Sequence, residues 1–406
     1  MEPLNALNTG LLNPARRVGA DMERWKAAGG GQALARATAT DSARLLEAVR
    51  EAGLRGLGGS GFPVWKKWEA VAAESPRPDK YIVVNGNEDE PGTLKDRLLL
   101  EETPHQVIEG ALVAARAVGA NRVVFYINPD LARSIAAMRM ALDQWEPGEV
   151  SLTLAPGSGH YIGGEETAVM EWIEGRFPFP RGKPPYPAQS GVLGCPTLIN
   201  NVETVAHLPD IVLRGAEWFR AQGRGQGTGT KLYSLSGDVL HPGVYELPMG
   251  TSLRELIFTH GGGLLSGKPL KAVFTGGPSN TLLTPADLDV ALDFDSLKAI
   301  GGALGTGAMI VVSEGTGIVK RVAEYVRFFA HSSCGQCPPC KTGTVTMSRL
   351  LDRIDTGRGT AADLATLENL CAMLPGSGRC HLINGAVQLL DSSFRHFRHE
   401  YKSALR

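Results

Sequence analysis

Three cysteines recur at every third position in HSSCGQCPPCKTG, residues 331–343: Cys334, Cys337 and Cys340. Such a C-x2-C-x2-C run offers three thiolates from one tight loop, enough to hold three irons of a cubane iron–sulfur cluster if a fourth comes from elsewhere. Zinc ribbons instead pair two separated C-x2-C knuckles, so the run favours iron and sulfur over zinc. Two cysteines follow it. Cys371 falls in the apolar register of ATLENLCAML and reads as a buried helix residue. Cys380 follows PGSGR, a loop from which a thiol can turn toward a partner, and is the expected fourth ligand. His331 reads as a bystander beside a set of four thiols. Pro338 and Pro339 are expected to keep the loop from closing into a helix.

A second chemical feature is GLRGLGGSGFP, Gly53 to Pro63, followed by Lys66 and Lys67 in VWKKW. Backbone N–H groups of such a loop can close around a phosphate, and a lysine one turn later can neutralise it. The loop matches neither the P-loop pattern nor a glycine fingerprint after a strand, which argues against ordinary ATP and Rossmann sites. The apolar run YIVV then leads into NGNEDEPGTLKDR, placing Asn85, Asn87, Glu88 and Glu90 at a strand's carboxyl end, where open α/β sheets bind ligands. Similar polar density recurs in YIGGEET (Glu165, Glu166, Thr167) and INNVET (Asn200, Asn201, Thr204). The chain's 50 glycines, clustered at several sites, suggest backbone approaching a ligand repeatedly.

These residues need elements to position them. DSARLLEAVREA, residues 41–52, sets Leu45, Leu46, Val49 and Ala52 on one helical face, with Asp41 as N-cap and Gly53 as stop. A strand at 81–84, a helix at 104–118, a strand at 122–127, a helix at 131–142 and a strand at 152–154 alternate as in a parallel sheet covered by helices. From 231 to about 290 the texture changes to short strands and turns with one helix near 252–259, a small α+β domain. After residue 316, four helical patterns in about 90 residues read as a bundle, with the cysteine run in its first interhelical loop. The expected domains are 1–230, 231–305 and 306–406.

Composition excludes several classes. With 41 basic and 42 acidic residues, the net charge of −1 gives no bulk attraction to nucleic acid or anionic lipid. Six clustered cysteines do not make a secreted disulfide framework. The N-terminus has no uninterrupted apolar h-region, and no stretch approaches the ~20 apolar residues of a membrane span, so a cytoplasmic chain that is not an integral membrane protein is expected.

Taken together, GLRGLGGSGFPVWKKW, VVNGNEDEPGTLKDR, YIGGEETA, KPPYPAQSGVLGCPTLINNVET, LDFDSLKAIGGALGTGAMIV and SCGQCPPCKTG resemble, in order, the family of flavin-bearing, NADH-oxidising 51 kDa subunits of respiratory complex I. Diaphorase subunits of NAD-linked formate dehydrogenases and hydrogenases share that pattern. The resemblance runs from about residue 40 to 390. It implies a Rossmann-like FMN domain, a β-grasp-like SLBB domain and a C-terminal four-helix bundle with one [4Fe-4S] cluster on Cys334, Cys337, Cys340 and Cys380.

Carried over by motif, Gly56, Gly58, Gly59, Lys67, Asn85, Asn87, Glu88, Tyr161, Gly164, Glu165, Glu166, Asn200, Asn201 and Thr204 surround the FMN. Phe62, Glu90, Lys183 and Tyr186 face NADH, and Glu90 and Glu166 are the implied catalytic residues. The implied activity is an NADH dehydrogenase module that relays electrons through FMN and the cluster to partners: a small thioredoxin-like [2Fe-2S] subunit and a further substrate-oxidising or reducing subunit. Asn87 stands where the family usually has Asp, Tyr186 where it has Phe, CPPCKTG where it has C-T-P-C-R-E-G, and Ala70 where it has an aromatic. Ala70 and Asn87 favour the alternative class, an electron-transfer or scaffold subunit without productive NADH binding. Between a packing and a docking role for the small domain, the sequence does not choose.

Overall fold

Ile82, Val83 and Val84 follow one another without polar alternation and all are buried, as expected of a parallel strand covered on both faces. In the computed structural model, which describes residues 10–75, 78–146, 148–265 and 267–406, they lie in β1 (Tyr81–Gly86). Residues 1–9, part of the N-terminal stretch that lacks an apolar h-region, lie outside the described residues. Strand β1 pairs in parallel with β2 (Arg122–Ile127) and β4 (Thr197–Asn201), and β2 with β3 (Ser151–Pro156), giving the order β3-β2-β1-β4. Strand β1 runs two residues past the expected end because Asn85 and Gly86 keep pairing with Tyr126 and Ile127. Strand β4 is not evident in the sequence, where its terminal Asn200 and Asn201 read as a polar cluster.

Helices pack on this sheet. Asp41 caps Ser42–Ala52 by accepting from Ala43 N at 2.8 Å, and Gly53 closes it at φ 67°, where a left-handed stop favours glycine. Pro104–Val118 and Ala132–Leu142 supply the crossovers.

The second sheet has the order β6-β5-β9-β7-β8, with β5 (Thr230–Gly237), β6 (Gly243–Pro248), β7 (Leu270–Thr275), β8 (Leu282–Leu283) and β9 (Ala308–Ser313). Strand β9 lies beyond the expected boundary at 305. Its run AMIVVS has the β-branched, buried character of a central strand and pairs with both β5 and β7. The short helix expected near 252–259 forms as a π-helical segment, Glu255–His260.

Four helices complete the chain: Ile318–Ser332, Pro338–Asp355, Ala361–Met373 and Leu382–Ser403. Their core includes Val322, Val326, Phe329, Met347, Leu351, Leu367 and Leu390, all buried. One expectation fails here. Pro338 and Pro339 do not exclude a helix but start one, because the first turn leaves its N–H groups unbonded and proline's fixed φ suits it. Cys337 is thereby the N-cap and Cys340 sits in the first turn, leaving only Cys334 and Cys337 to the loop.

Candidate functional site: two cavities with a common wall

The carboxyl ends of β1 and β4 open into a cavity of about 360 Å³, within the size range of small-molecule and cofactor sites. Asn85, at the end of β1, donates to Gly164 O at 2.9 Å and accepts from Asn87 N at 3.1 Å. Asn87 in turn directs Nδ2 to Asp89 Oδ2 at 2.6 Å, which leaves its Oδ1 buried with no partner. A buried acceptor without a donor costs about 1–3 kcal/mol, and this one sits on the Gly157 side of Asn87 rather than in the open cavity.

Three acids near β1 occupy different settings. Glu88 Oε1 accepts from Asp96 N at 2.7 Å and its Oε2 from Arg97 Nε at 2.7 Å; burial, with Asp96 adding to it, pushes its pKa up to about 7. Glu90 accepts from Tyr161 Oη and Ser279 Oγ, both at 2.6 Å, and burial raises its pKa as well. Glu166 stands apart, between Lys67 Nζ at 2.6 Å and Lys183 Nζ at 2.5 Å. Burial alone would raise Glu166, but the two lysines outweigh it and hold its pKa below the usual value.

Of the residues anticipated from sequence, Gly58, Asn85, Asn87, Glu88, Glu90, Tyr161, Gly164, Glu165 and Asn201 line this cavity. Others stand behind it. Asn200 accepts from Trp68 Nε1 at 3.0 Å, and Thr204 Oγ1 accepts from Leu57 N at 2.9 Å, tying the glycine loop to the short helix Val202–Ala206 that follows β4. Gly56 N donates to Phe62 O at 2.8 Å inside that loop, and Gly59 holds φ at 130°, a conformation side chains resist. The ion-paired Lys67, Glu166 and Lys183 lie outside the lining, and so do Phe62 and Tyr186, which are 44% and 55% exposed. Ala70 is exposed.

The cavity also takes in residues the sequence did not single out: Ser60, Asp89, Thr93, Lys95, Asp96, Ser279, Thr306 and His381. Lys95 and Asp96 lie in the same acidic motif and could have been read from it. Ser279 and Thr306 come from glycine-rich loops of the second sheet, Thr306 within the LDFDSLKAIGGALGTGAMIV motif, but nothing local singles out either side chain.

The second cavity is lined by Cys334, Cys337, Cys340 and Cys380 together with Ile162, Ser333, Gly378, Leu382 and Ile383. Cys371 is buried elsewhere, in Ala361–Met373. Ser333 Oγ lies 3.3 Å from Cys340 Sγ, and Arg379 N donates to Cys337 Sγ at 3.4 Å. One tetrahedral zinc needs its sulfurs converged at about 2.3 Å from a single point. Among the described residues no three His, Cys, Asp or Glu side chains converge on one ion; the four thiols instead line one cavity, and four thiolates are the donor set of a cubane iron–sulfur cluster. The donor set fits that group. The first cavity, with Gly58 and Gly164 in its lining and polar side chains at the strand ends, fits a polar cofactor in the same sense. Ile162, Cys380 and Leu382 line both cavities.

Comparison with known proteins agrees region by region. Residues 49–210 match the Nuo51 FMN-binding domain, 232–279 the SLBB domain and 320–404 the NADH-ubiquinone oxidoreductase-F iron-sulfur binding region. The F 2 subunit of the NADH-quinone oxidoreductase of Rhizobium meliloti (strain 1021) is 42% identical over 393 residues, covering 94% of this chain and 93% of that protein. The corresponding F subunit of Mycobacterium tuberculosis (strain ATCC 25618 / H37Rv) is 40% identical, covering 92% and 87%. A chain of the NAD+-reducing [NiFe]-hydrogenase in the H2-reduced state superposes with a TM-score of 0.83 at 36% identity, over 91% of this chain and 64% of that one.

Proposed function

The chain belongs to the family of NADH-quinone oxidoreductase F subunits, and from that premise we propose that the 360 Å³ cavity takes FMN, with the nucleotide entering past Phe62, Lys183 and Tyr186. The protein is the NADH dehydrogenase module of a multi-subunit oxidoreductase, passing electrons between NADH, FMN and a [4Fe-4S] cluster. Bound FMN supplies the conversion from a two-electron hydride donor to one-electron carriers. The cluster ligands are Cys334, Cys337, Cys340 and Cys380.

One observation supports this reading above the rest: Cys380 lines both cavities, with Ile162 and Leu382 beside it. A ligand in the first cavity and a metal group in the second would be separated by one layer of side chains. The chain's own residues then have distinct tasks. The glycine loop from Gly56 to Gly59 admits the cofactor close to the backbone, and Asn85, Asn87, Asn201 and Glu88 hold its polar edge. Glu90, bonded to Tyr161 and Ser279, lines the cavity where the second sheet meets it. Glu166, held between Lys67 and Lys183, orients nucleotide hydroxyls.

Electrons leave to partner subunits, including a small thioredoxin-like [2Fe-2S] protein and a substrate-converting subunit, because this sequence carries one cluster motif only. No helix among the described residues is long and apolar enough to cross a membrane, and a cytoplasmic location, peripheral to any membrane complex, suits that role. Stopped-flow mixing of FMN-loaded protein with NADH tests the assignment. Fast flavin bleaching by NADH is expected; no bleaching, in protein shown to hold FMN, would move the chain to the scaffold class that Ala70 and Asn87 raised.

A further inference from the structure

The second sheet reaches into the flavin cavity through polar bonds as well as packing. Ser279 Oγ donates to Glu90 at 2.6 Å, Thr306 Oγ1 meets Thr93 Oγ1 at 2.7 Å, and Ser234 Oγ accepts from Leu94 N at 3.0 Å. All three hold the segment that follows β1. A fourth tie is charged. Lys231, on β5, puts Nζ 2.5 Å from Glu203 Oε2, and the next residue's N–H donates to Glu203 Oε1 at 2.7 Å. The same Glu203 Oε2 lies 3.0 Å from Lys95 Nζ, which also reaches Asp96 at 2.7 Å and Asn201 at 3.0 Å.

Lys95, Asp96 and Asn201 line the cavity; Glu203 and Lys231 are fully buried behind them. Room for the lysine stem comes from Gly307, where an added Cβ would stand 3.0 Å from Lys231 Cε. Two ammonium groups and two carboxylates therefore cancel beneath the cavity floor, and one of the four is supplied by the second sheet. Burying a charge without partners is costly, so such a set is held in balance as a unit.

We propose that Lys231 is a positioning residue for the flavin: through Glu203 and Lys95 it keeps the floor of the cavity electrically neutral, so that the second sheet sets the flavin's reduction potential. This rests on FMN occupying that cavity. A two-electron-reduced flavin carries more negative charge than the oxidised form, so an uncompensated charge beneath it shifts the balance between the two in a direction fixed by the sign of that charge. Lys231→Met leaves the floor one charge more negative and disfavours the reduced flavin. Glu203→Gln leaves it one charge more positive and favours it. Lys231→Met combined with Glu203→Gln restores neutrality.

The test uses the full chain loaded with FMN and its cluster, and reads the flavin midpoint potential and the FMN dissociation constant. Expected are a lower midpoint for Lys231→Met and a higher one for Glu203→Gln, each by about tenfold in the two-electron reduction equilibrium, about 30 mV, and a return to the wild-type value in the double variant. If Lys231→Met does not fold, the raised midpoint of Glu203→Gln and its return to the wild-type value in the double variant decide alone. Midpoints that stay put while thermal stability falls would overturn the proposal and leave Lys231 a packing residue. A wild-type chain that binds no FMN would overturn both this proposal and the cofactor assignment, whereas bound FMN with unshifted midpoints overturns this proposal only.

Discussion

The two cavities share a wall yet are built in opposite ways. The larger is polar and assembled from both sheets and the bundle: strand ends at Asn85 and Asn201, loops at Ser279 and Thr306, and His381 from the C-terminal region. The smaller is walled by four thiols and aliphatic side chains, three of the thiols coming from one stretch of seven residues. A site whose ligands are covalent donors can be carried by local spacing and a greasy surround. A site that must hold a charged cofactor through hydrogen bonds needs polar groups converging from far apart, each with its own burial cost offset by partners.

Breaking the shared wall should separate the two sites most sharply. Cys380→Ala is expected to abolish the cluster's EPR signal and lower iron content while leaving FMN binding and its bleaching by NADH in place; loss of FMN with an intact cluster would reverse the assignment. Cys371→Ala, in the same bundle, should leave the cluster signal unchanged.

If the contrast in polarity holds, acid should weaken the flavin side through its buried titrating groups. His207, buried beside Glu203 and Asp210, has its pKa pulled down by burial to about 4. In the unfolded chain it protonates near 6.5, so the unfolded state takes up the proton first and stability is lost as pH falls from about 6.5 toward 4. Denaturant unfolding should show about 2 kcal/mol of that loss between pH 7 and pH 5. His207→Gln should remove it, and an equal pH dependence in the variant would contradict the assignment.

A smaller effect is expected from Asn87→Asp. A carboxylate here adds negative charge to the cavity wall beside Asp89, which Asn87 now contacts through its amide. The flavin midpoint should fall, by about tenfold or less in the reduction equilibrium, and an unchanged midpoint would defeat the idea that Asn87 raises it. Smallest is Ser333→Ala, which removes a hydroxyl 3.3 Å from Cys340 Sγ. It should lower the cluster midpoint slightly, since a hydrogen bond to a ligand sulfur favours the reduced cluster.

The same contrast explains what the sequence disclosed. The cysteine run and the loop position of Cys380 are local features, and they led to all four thiols of the small cavity. Asn85, Asn87, Glu88 and Glu90 were legible because an apolar strand ends where they begin. Ser279 and Thr306 were not, because their place in the cavity depends on how the second sheet seats against the first. Strand β9 fell outside that domain's expected bounds because its pairing with β5 is a contact between distant residues. Pro338 misled because proline breaks a helix interior yet suits its first turn.

The central claim is that electrons cross the wall at Cys380, and an anaerobic titration of the holoprotein with NADH, following flavin absorbance and cluster EPR in the same samples, tests it most directly. Flavin bleaching accompanied by a cluster signal that Cys380→Ala abolishes is the predicted result. A flavin that bleaches fully while the cluster, shown reducible by dithionite at a potential NADH can reach, stays oxidised would contradict it.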